Sequence, residues 1–126
     1  MATRQLGVLI SEDEVDINNL LTLILQSEDF LVFQAFDGQT ALDLFSVHQD
    51  EVDLVVTDLG LPRLGGVDLI AKIREMKPSI RIIGASGFGR NNVREEVKRA
   101  GADEFLAKPY VTSDLVASVK RLLGIS

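Results

Sequence analysis

The chain contains no cysteine. That excludes a disulfide framework, a thiolate zinc or iron–sulfur site, and a cysteine nucleophile. It holds a single histidine, His48, which cannot by itself build a histidine-rich metal site. No apolar run reaches the roughly 18 to 20 residues of a membrane-spanning helix. The opening residues, Met1-Ala2-Thr3-Arg4-Gln5-Leu6, lack the basic-then-apolar order of a secretion signal. A basic excess is missing too. There are 19 acidic against 13 basic side chains and a formal charge of −6, the wrong sign for a face that neutralises nucleic-acid phosphates. The sequence shows no internal repeat, low-complexity tract or linker. The expectation is a cytoplasmic protein that touches neither membrane nor nucleic acid directly.

What is present is enough for one core. The chain has 126 residues, 46% of them apolar, which fits a single domain and argues against disorder. Short apolar runs alternate with segments of helical periodicity. The runs are Leu6 to Ile10, Phe30 to Phe36, Val52 to Thr57, Ile80 to Gly84 and Glu104 to Ala107. Several are nearly continuous rather than alternating, as in strands buried on both faces.

Between them, Ile17, Leu20, Leu21, Ile24 and Leu25 recur at three- and four-residue spacing over Glu14 to Gln26. Ala41, Leu42 and Phe45 mark a second helix, and Val67, Ile70 and Ile73 a third. Val93, Val97 and Ala100 mark a fourth, which Gly101 would end. Leu115, Val116, Val119, Leu122 and Leu123 mark a fifth, with Thr112 or Ser113 as its cap and Gly124 after it. Strict alternation predicts an α/β fold, a doubly wound (βα)5 unit with a five-stranded parallel sheet and helices on both faces.

In such a sheet, ligands bind beyond the carboxyl ends of the strands. Ser11-Glu12-Asp13-Glu14 follows the first run, Asp58 the third, Ala85-Ser86-Gly87 the fourth and Lys108-Pro109 the fifth. Crowded carboxylates repel by roughly 4 kcal/mol per pair at about 4 Å and intermediate dielectric. A hard divalent cation with oxygen ligands relieves that, and magnesium keeps waters for a phosphate. A lysine and a hydroxyl beside it suit phosphoryl oxygens.

Each group also has a plain reading. Ser11 and Glu14 fit a helix capping box, and acids favour a first helical turn. Asp58 fits a turn ahead of Leu59-Gly60-Leu61-Pro62. Ser86 fits a loop, and Lys108 a solvated surface. Four strand ends that each supply a compatible group outweigh these separate readings.

At these residues the chain resembles the receiver domain of two-component response regulators, across nearly its whole length. Val8-Leu9-Ile10-Ser11-Glu12-Asp13-Glu14 is similar to the family's first strand and acidic pair. Asp53-Leu54-Val55-Val56-Thr57-Asp58-Leu59-Gly60-Leu61-Pro62 is similar to its phosphoacceptor segment, with Gly66 eight residues beyond the aspartate. Ile83-Gly84-Ala85-Ser86-Gly87 resembles the hydroxyl segment, and Gly101 to Tyr110 the lysine segment.

The resemblance implies strand order 2-1-3-4-5 and a single receiver domain over residues 1–126 with no output domain. It makes Asp58 the phosphoacceptor. Glu12, Asp13, Asp58 and the backbone carbonyl of Gly60 would hold Mg2+. Ser86 and Lys108 would bind phosphoryl oxygens, and Lys108–Pro109 would be cis. Ser86 and Phe105 would throw a switch on the face formed by the fourth helix, fifth strand and fifth helix. The donor would be a sensor histidine kinase or a histidine phosphotransfer protein, and the output a downstream protein or other domains of the same chain. Such a protein is a phosphorelay switch rather than an enzyme, catalysing only its own phosphorylation and slow dephosphorylation. Both a stand-alone regulator and the receiver of a hybrid sensor kinase fit these motifs. Arg90, Arg94 and Lys98 form a charged row that reads either as a solvated face or as a partner face.

Rival readings fare worse. Gly84-Ala85-Ser86-Gly87-Phe88 approaches a nucleophile elbow but ends in Phe, and His48 precedes the serine. A dehalogenase-type phosphatase wants a second aspartate where Gly60 stands. The glycines from Gly84 to Gly89 do not form a dinucleotide fingerprint. A non-phosphorylated pseudo-receiver would have no use for the intact acids and lysine. Phe88, two residues beyond Ser86, is expected to keep water from an acyl phosphate on Asp58. Phe88→Ala should therefore speed autodephosphorylation several-fold in a phosphate-release assay, and an unchanged or slower rate would refute that role.

Overall fold

The computed structural model describes residues 4–87 and 93–125, apart from the side chains of residues 93, 94 and 96. Strand and helix alternate through β1 (Gly7–Ser11), α1 (Val15–Ser27), β2 (Leu31–Ala35), α2 (Gly38–Val47), β3 (Leu54–Asp58), α3 (Gly66–Met76), β4 (Arg81–Ser86), α4 (Val93–Ala100), β5 (Glu104–Ala107) and α5 (Thr112–Leu123). The strands pair in parallel in the order β2-β1-β3-β4-β5, as expected. The near-continuous aliphatic runs are the interior strands β1, β3 and β4, buried along almost all their length. The edge strands β2 and β5 are mostly half-buried.

Period-two alternation divides the core by face. Leu9, Val55 and Ile82 pack with Phe45 of α2, Leu69, Ile70 and Ile73 of α3, and Val97 of α4. Val8, Ile10, Leu54, Val56 and Ile83 pack on the other face with Leu21 and Leu25 of α1 and Leu115 and Val119 of α5. Each aliphatic side chain fully buried here contributes roughly 1.5–3 kcal/mol relative to exposure.

The structure corrects several boundaries. β3 runs on to Asp58 and β4 to Ser86, because ladder pairing continues through Asp58 against Ala85 and Ser86 against Ala107. Both residues therefore end strands rather than begin loops. Ser11 does not cap α1. It is the last residue of β1, and the position before the helix is Glu14, which makes no side-chain cap. Neither Thr112 nor Ser113 caps α5, where Val111 precedes the helix. Gly101 and Gly124 do follow their helices with positive φ, of 115° and 70°. Phe88 and Arg90 lie outside the described residues, as does the side chain of Arg94. Lys98 is exposed.

The amino-terminal edge of the sheet is tied by polar side chains. Arg4 donates to both carboxylate oxygens of Asp53, at 2.8 and 2.6 Å, and the Gly7 N–H donates to Asp53 at 2.8 Å. Burial alone would raise the Asp53 carboxyl, but Arg4 and the Gly7 N–H outweigh it and hold it below the ordinary aspartate range. A carboxyl lowered by folding stabilises the protein above the unfolded pKa near about 3.9, and that contribution is lost as pH falls through the folded value. Asp53→Asn should cost about 1 kcal/mol at pH 7, a figure discounted for the exposed Arg4. Urea titrations should show the gap between parent and variant closing below pH of about 4. A gap that persists there would refute this account of Asp53.

Candidate functional site

Parallel pairing puts the carboxyl ends of β1, β3, β4 and β5 on one edge. Ser11 is paired with Thr57, so Glu12 and Asp58 follow as neighbours across adjacent strands about 4.8 Å apart. Alternation continues from Ile10, Val56 and Leu106, all on the α1/α5 face, to Glu12, Asp58 and Lys108. Lys108 Nζ reaches Glu12 Oε1 at 2.6 Å and Asp58 Oδ1 at 3.5 Å. The Lys108–Pro109 bond is cis, as the resemblance implies.

Backbone bonds hold these groups. The Leu59 N–H donates to the Ala85 carbonyl at 3.0 Å, and the Lys108 N–H to the Ser86 carbonyl at 2.7 Å. The Glu12 N–H donates to the Ala35 carbonyl at 3.1 Å. Gly66 opens α3 directly against the Asp58 and Leu59 backbone, where a Cβ would collide. Only glycine lets the helix approach that closely.

The charges are unevenly exposed. Glu12 is 3% exposed, Asp58 is half-buried and Asp13 is exposed. Burial pushes the Glu12 carboxyl up, against the opposing pull of Lys108 and of the Glu14 N–H that donates to it at 3.0 Å. Lys108 is pulled down by its own burial. The hydrogen bond to Glu12 and the nearby Asp58 charge more than offset that, leaving its pKa raised.

Carboxylate oxygens of Glu12, Asp13 and Asp58 all lie within 4.8 Å of one another. Three acids face one ammonium, and their donors are all oxygen. That set suits a hard divalent cation such as magnesium rather than a soft one. Gly60 is exposed just beyond β3, with open space where a side chain would be. Ser86 and Phe105 sit on the opposite, α3/α4 side of the sheet. Ser86 continues the alternation of Ile82 and Gly84, and Phe105 packs against that core.

Two features escaped the sequence reading. Asn18 of α1 is fully buried, and its Nδ2 donates to the carbonyls of Glu12 at 3.0 Å and Ala35 at 2.9 Å. The available signal was its place in the buried stripe with Leu21 and Leu25. The other is a cavity of about 470 Å³ lined by Ile17, Leu20, Leu21, Pro109, Tyr110 and Thr112, reaching Gly87 and Lys108.

Residues 8–120 match the response regulator receiver domain family. The chain belongs to that family. It is 37% identical over 123 residues to the alkaline phosphatase synthesis transcriptional regulatory protein SphR of Synechococcus elongatus, covering 92% of this chain and 48% of SphR. It thus spans about half the length of that regulator, and likewise of the response regulator RppA of Synechocystis, at 49%. Against sporulation initiation phosphotransferase F of Bacillus subtilis it is 30% identical, with 94% of each chain covered. A receiver domain structure from Clostridium thermocellum superposes with TM-score 0.88 at 25% identity, covering 94% of both chains. A chain of the CheX–CheY–BeF3–Mg2+ complex from Borrelia burgdorferi superposes with TM-score 0.86 at 28% identity, covering 94% of this chain and 89% of that one. This chain is therefore a receiver domain of the two-component response regulator type, a signalling module. Among the described residues no helix is long and apolar enough to cross a membrane.

Proposed function

We propose that Asp58 is the phosphoacceptor of this receiver and works in the cytoplasm with a sensor histidine kinase or histidine phosphotransfer protein. The observation that carries this reading is the contact of Glu12, Asp58 and Lys108 at the carboxyl edge of the sheet. A carboxylate oxygen of Asp58 attacks phosphorus, the P–N bond to the donor imidazole breaks, and the imidazole leaves with that electron pair. The product is an acyl phosphate on Asp58. Glu12, Asp13, Asp58 and the Gly60 carbonyl would hold Mg2+, which when bound draws charge from the phosphoryl oxygens. A relative whose structure holds BeF3 and Mg2+ supports that chemistry.

Lys108 supplies the protein's own positive charge to those oxygens, and the Ser86 hydroxyl donates to them. Ser86 and Phe105 share one side of the sheet, on paired strands β4 and β5. Movement of Ser86 toward the phosphoryl group would be felt there and passed to the α4–β5–α5 face. The protein is then a switch that catalyses only its own phosphorylation and slow dephosphorylation. A pseudo-receiver that only binds partners would not need Lys108 between two carboxylates.

Incubation with Mg2+ and acetyl phosphate should add one phosphoryl group by intact mass. Asp58→Asn should abolish it, and labelling that survives would refute the assignment. The apolar cavity beside Lys108, with exposed Leu20 and Leu23 on α1, offers the donor protein a grip next to the acceptor. With a kinase that phosphorylates the parent, Leu20→Glu should slow transfer about tenfold, the scale of a lost anchor residue. Labelling by acetyl phosphate should stay unchanged. Equal losses with both donors would refute the docking role.

A further inference from the structure

We infer that Asn18 is a positioning residue for the acidic pair, setting the Glu12–Asp13 backbone in the geometry that binds a divalent cation. Asn18 lies one turn into α1, away from the charged groups, and is completely buried. Its Nδ2 is aimed at two carbonyl oxygens, those of Glu12 and Ala35. Only an N–H group satisfies both, so the amide has one orientation. Its Oδ1 then accepts from Gln34 Nε2 at 2.9 Å and from Thr22 Oγ1 at 3.4 Å. Gln34 is held in turn by Asn19 Oδ1 at 2.9 Å.

The two bonds from Nδ2 have a specific consequence. The Glu12 N–H donates to the Ala35 carbonyl, and the Glu12 carbonyl accepts from Asn18. The peptide groups on both sides of Glu12 are therefore fixed, one against β2 and one against α1. The second of them is the peptide that leads into Asp13. The chain leaves the sheet at this turn, where no ladder partner constrains it, and α1 has no side-chain cap to substitute. A helix-interior asparagine is a poor choice for helix stability, since its side chain competes for backbone groups. Here that competition is directed at the turn bearing two of the three acids.

This inference rests on the metal-site reading, and a binding measurement separates the two. Mg2+ affinity is measured by calorimetry for the parent, Asn18→Leu and Ile73→Val. The last change thins the opposite core and controls for lost stability alone. Asn18→Leu should bind Mg2+ about tenfold more weakly, the lower end of what lost outer-shell support costs a metal site. Ile73→Val should bind like the parent at a comparable drop in Tm. An Asn18→Leu variant that binds as tightly as the parent overturns the inference, as does an equal loss in Ile73→Val. A parent that binds no Mg2+ overturns the metal-site reading itself. Should Asn18→Leu fail to fold, Gln34→Leu takes its place. It removes, from a half-buried position, the bond from Gln34 Nε2 that braces Asn18 Oδ1, and should weaken Mg2+ binding. Unchanged affinity in that variant overturns the inference equally.

Discussion

Pairing Ser11 with Thr57 commits the chain to two carboxylates side by side. Once β1 and β3 run parallel in that register, Glu12 and Asp58 must reach the carboxyl edge side by side, with Asp13 one residue on. Glu12 is almost out of water, and a buried charge without a partner costs several kcal/mol. Lys108 is the local answer, reaching from the end of β5 past β4 to Asp58 and past β3 to Glu12. Its ammonium offsets one acid closely and another at longer range. The edge remains short of positive charge, and that shortage is its chemical capacity.

The rest of the fold is arranged so that this edge can carry unbalanced charge. At the opposite end, polar groups are used to close the structure. Arg74 of α3 donates to the carbonyls of Gly101, Pro78 and Ile80 and to Asp103, while Asp103 accepts from the Ile82 N–H. Lys77 donates to the carbonyls of Gln49 at 2.7 Å and Val52 at 2.9 Å. Arg4 and Asp53 close the start of β1. Between the two ends lie the aliphatic layers on each face. Satisfied polar groups and core thus lie away from the acids, and the strain of like charge is confined to strand ends that a cation can reach.

Interior strands were legible because burial on both faces leaves an almost unbroken aliphatic run, as in Leu54-Val55-Val56 and Ile82-Ile83. The acids and Lys108 were legible because parallel topology sends every strand end to one edge. Strand ends themselves were not. Asp58 and Ser86 belong to β3 and β4 only because partners 27 and 21 residues away continue the ladder. Ser11 followed by Glu14 satisfies a local capping pattern, yet pairing with both β2 and β3 holds Ser11 in the sheet. Asn18, though in step with Leu21 and Leu25, was hidden for the same reason. An asparagine in a helix reads as solvent-facing until the carbonyls of Glu12 and Ala35 are brought over it.

The division of the site between the two faces bears on how a signal would leave it. Glu12, Asp58 and Lys108 lie toward α1 and α5, while Ser86 and Phe105 lie toward α3 and α4. On the proposed reading, an event at Asp58 would reach the α4 side through Ser86, which follows Ala85, the ladder partner of Asp58. The backbone offers a short route, since the Ser86 carbonyl accepts the Lys108 N–H. A shift of Lys108 toward phosphoryl oxygens would pull on the peptide that follows Ser86. Two residues before Ser86 in the ladder, Gly84 is paired with Phe105. That position has no side chain, and Val97 of α4 lies 2.8 Å from where a Cβ would stand. A ring, a bare backbone and a helix residue thus meet at one point. Such close packing changes between discrete arrangements rather than by degrees, which is the property a two-state switch requires.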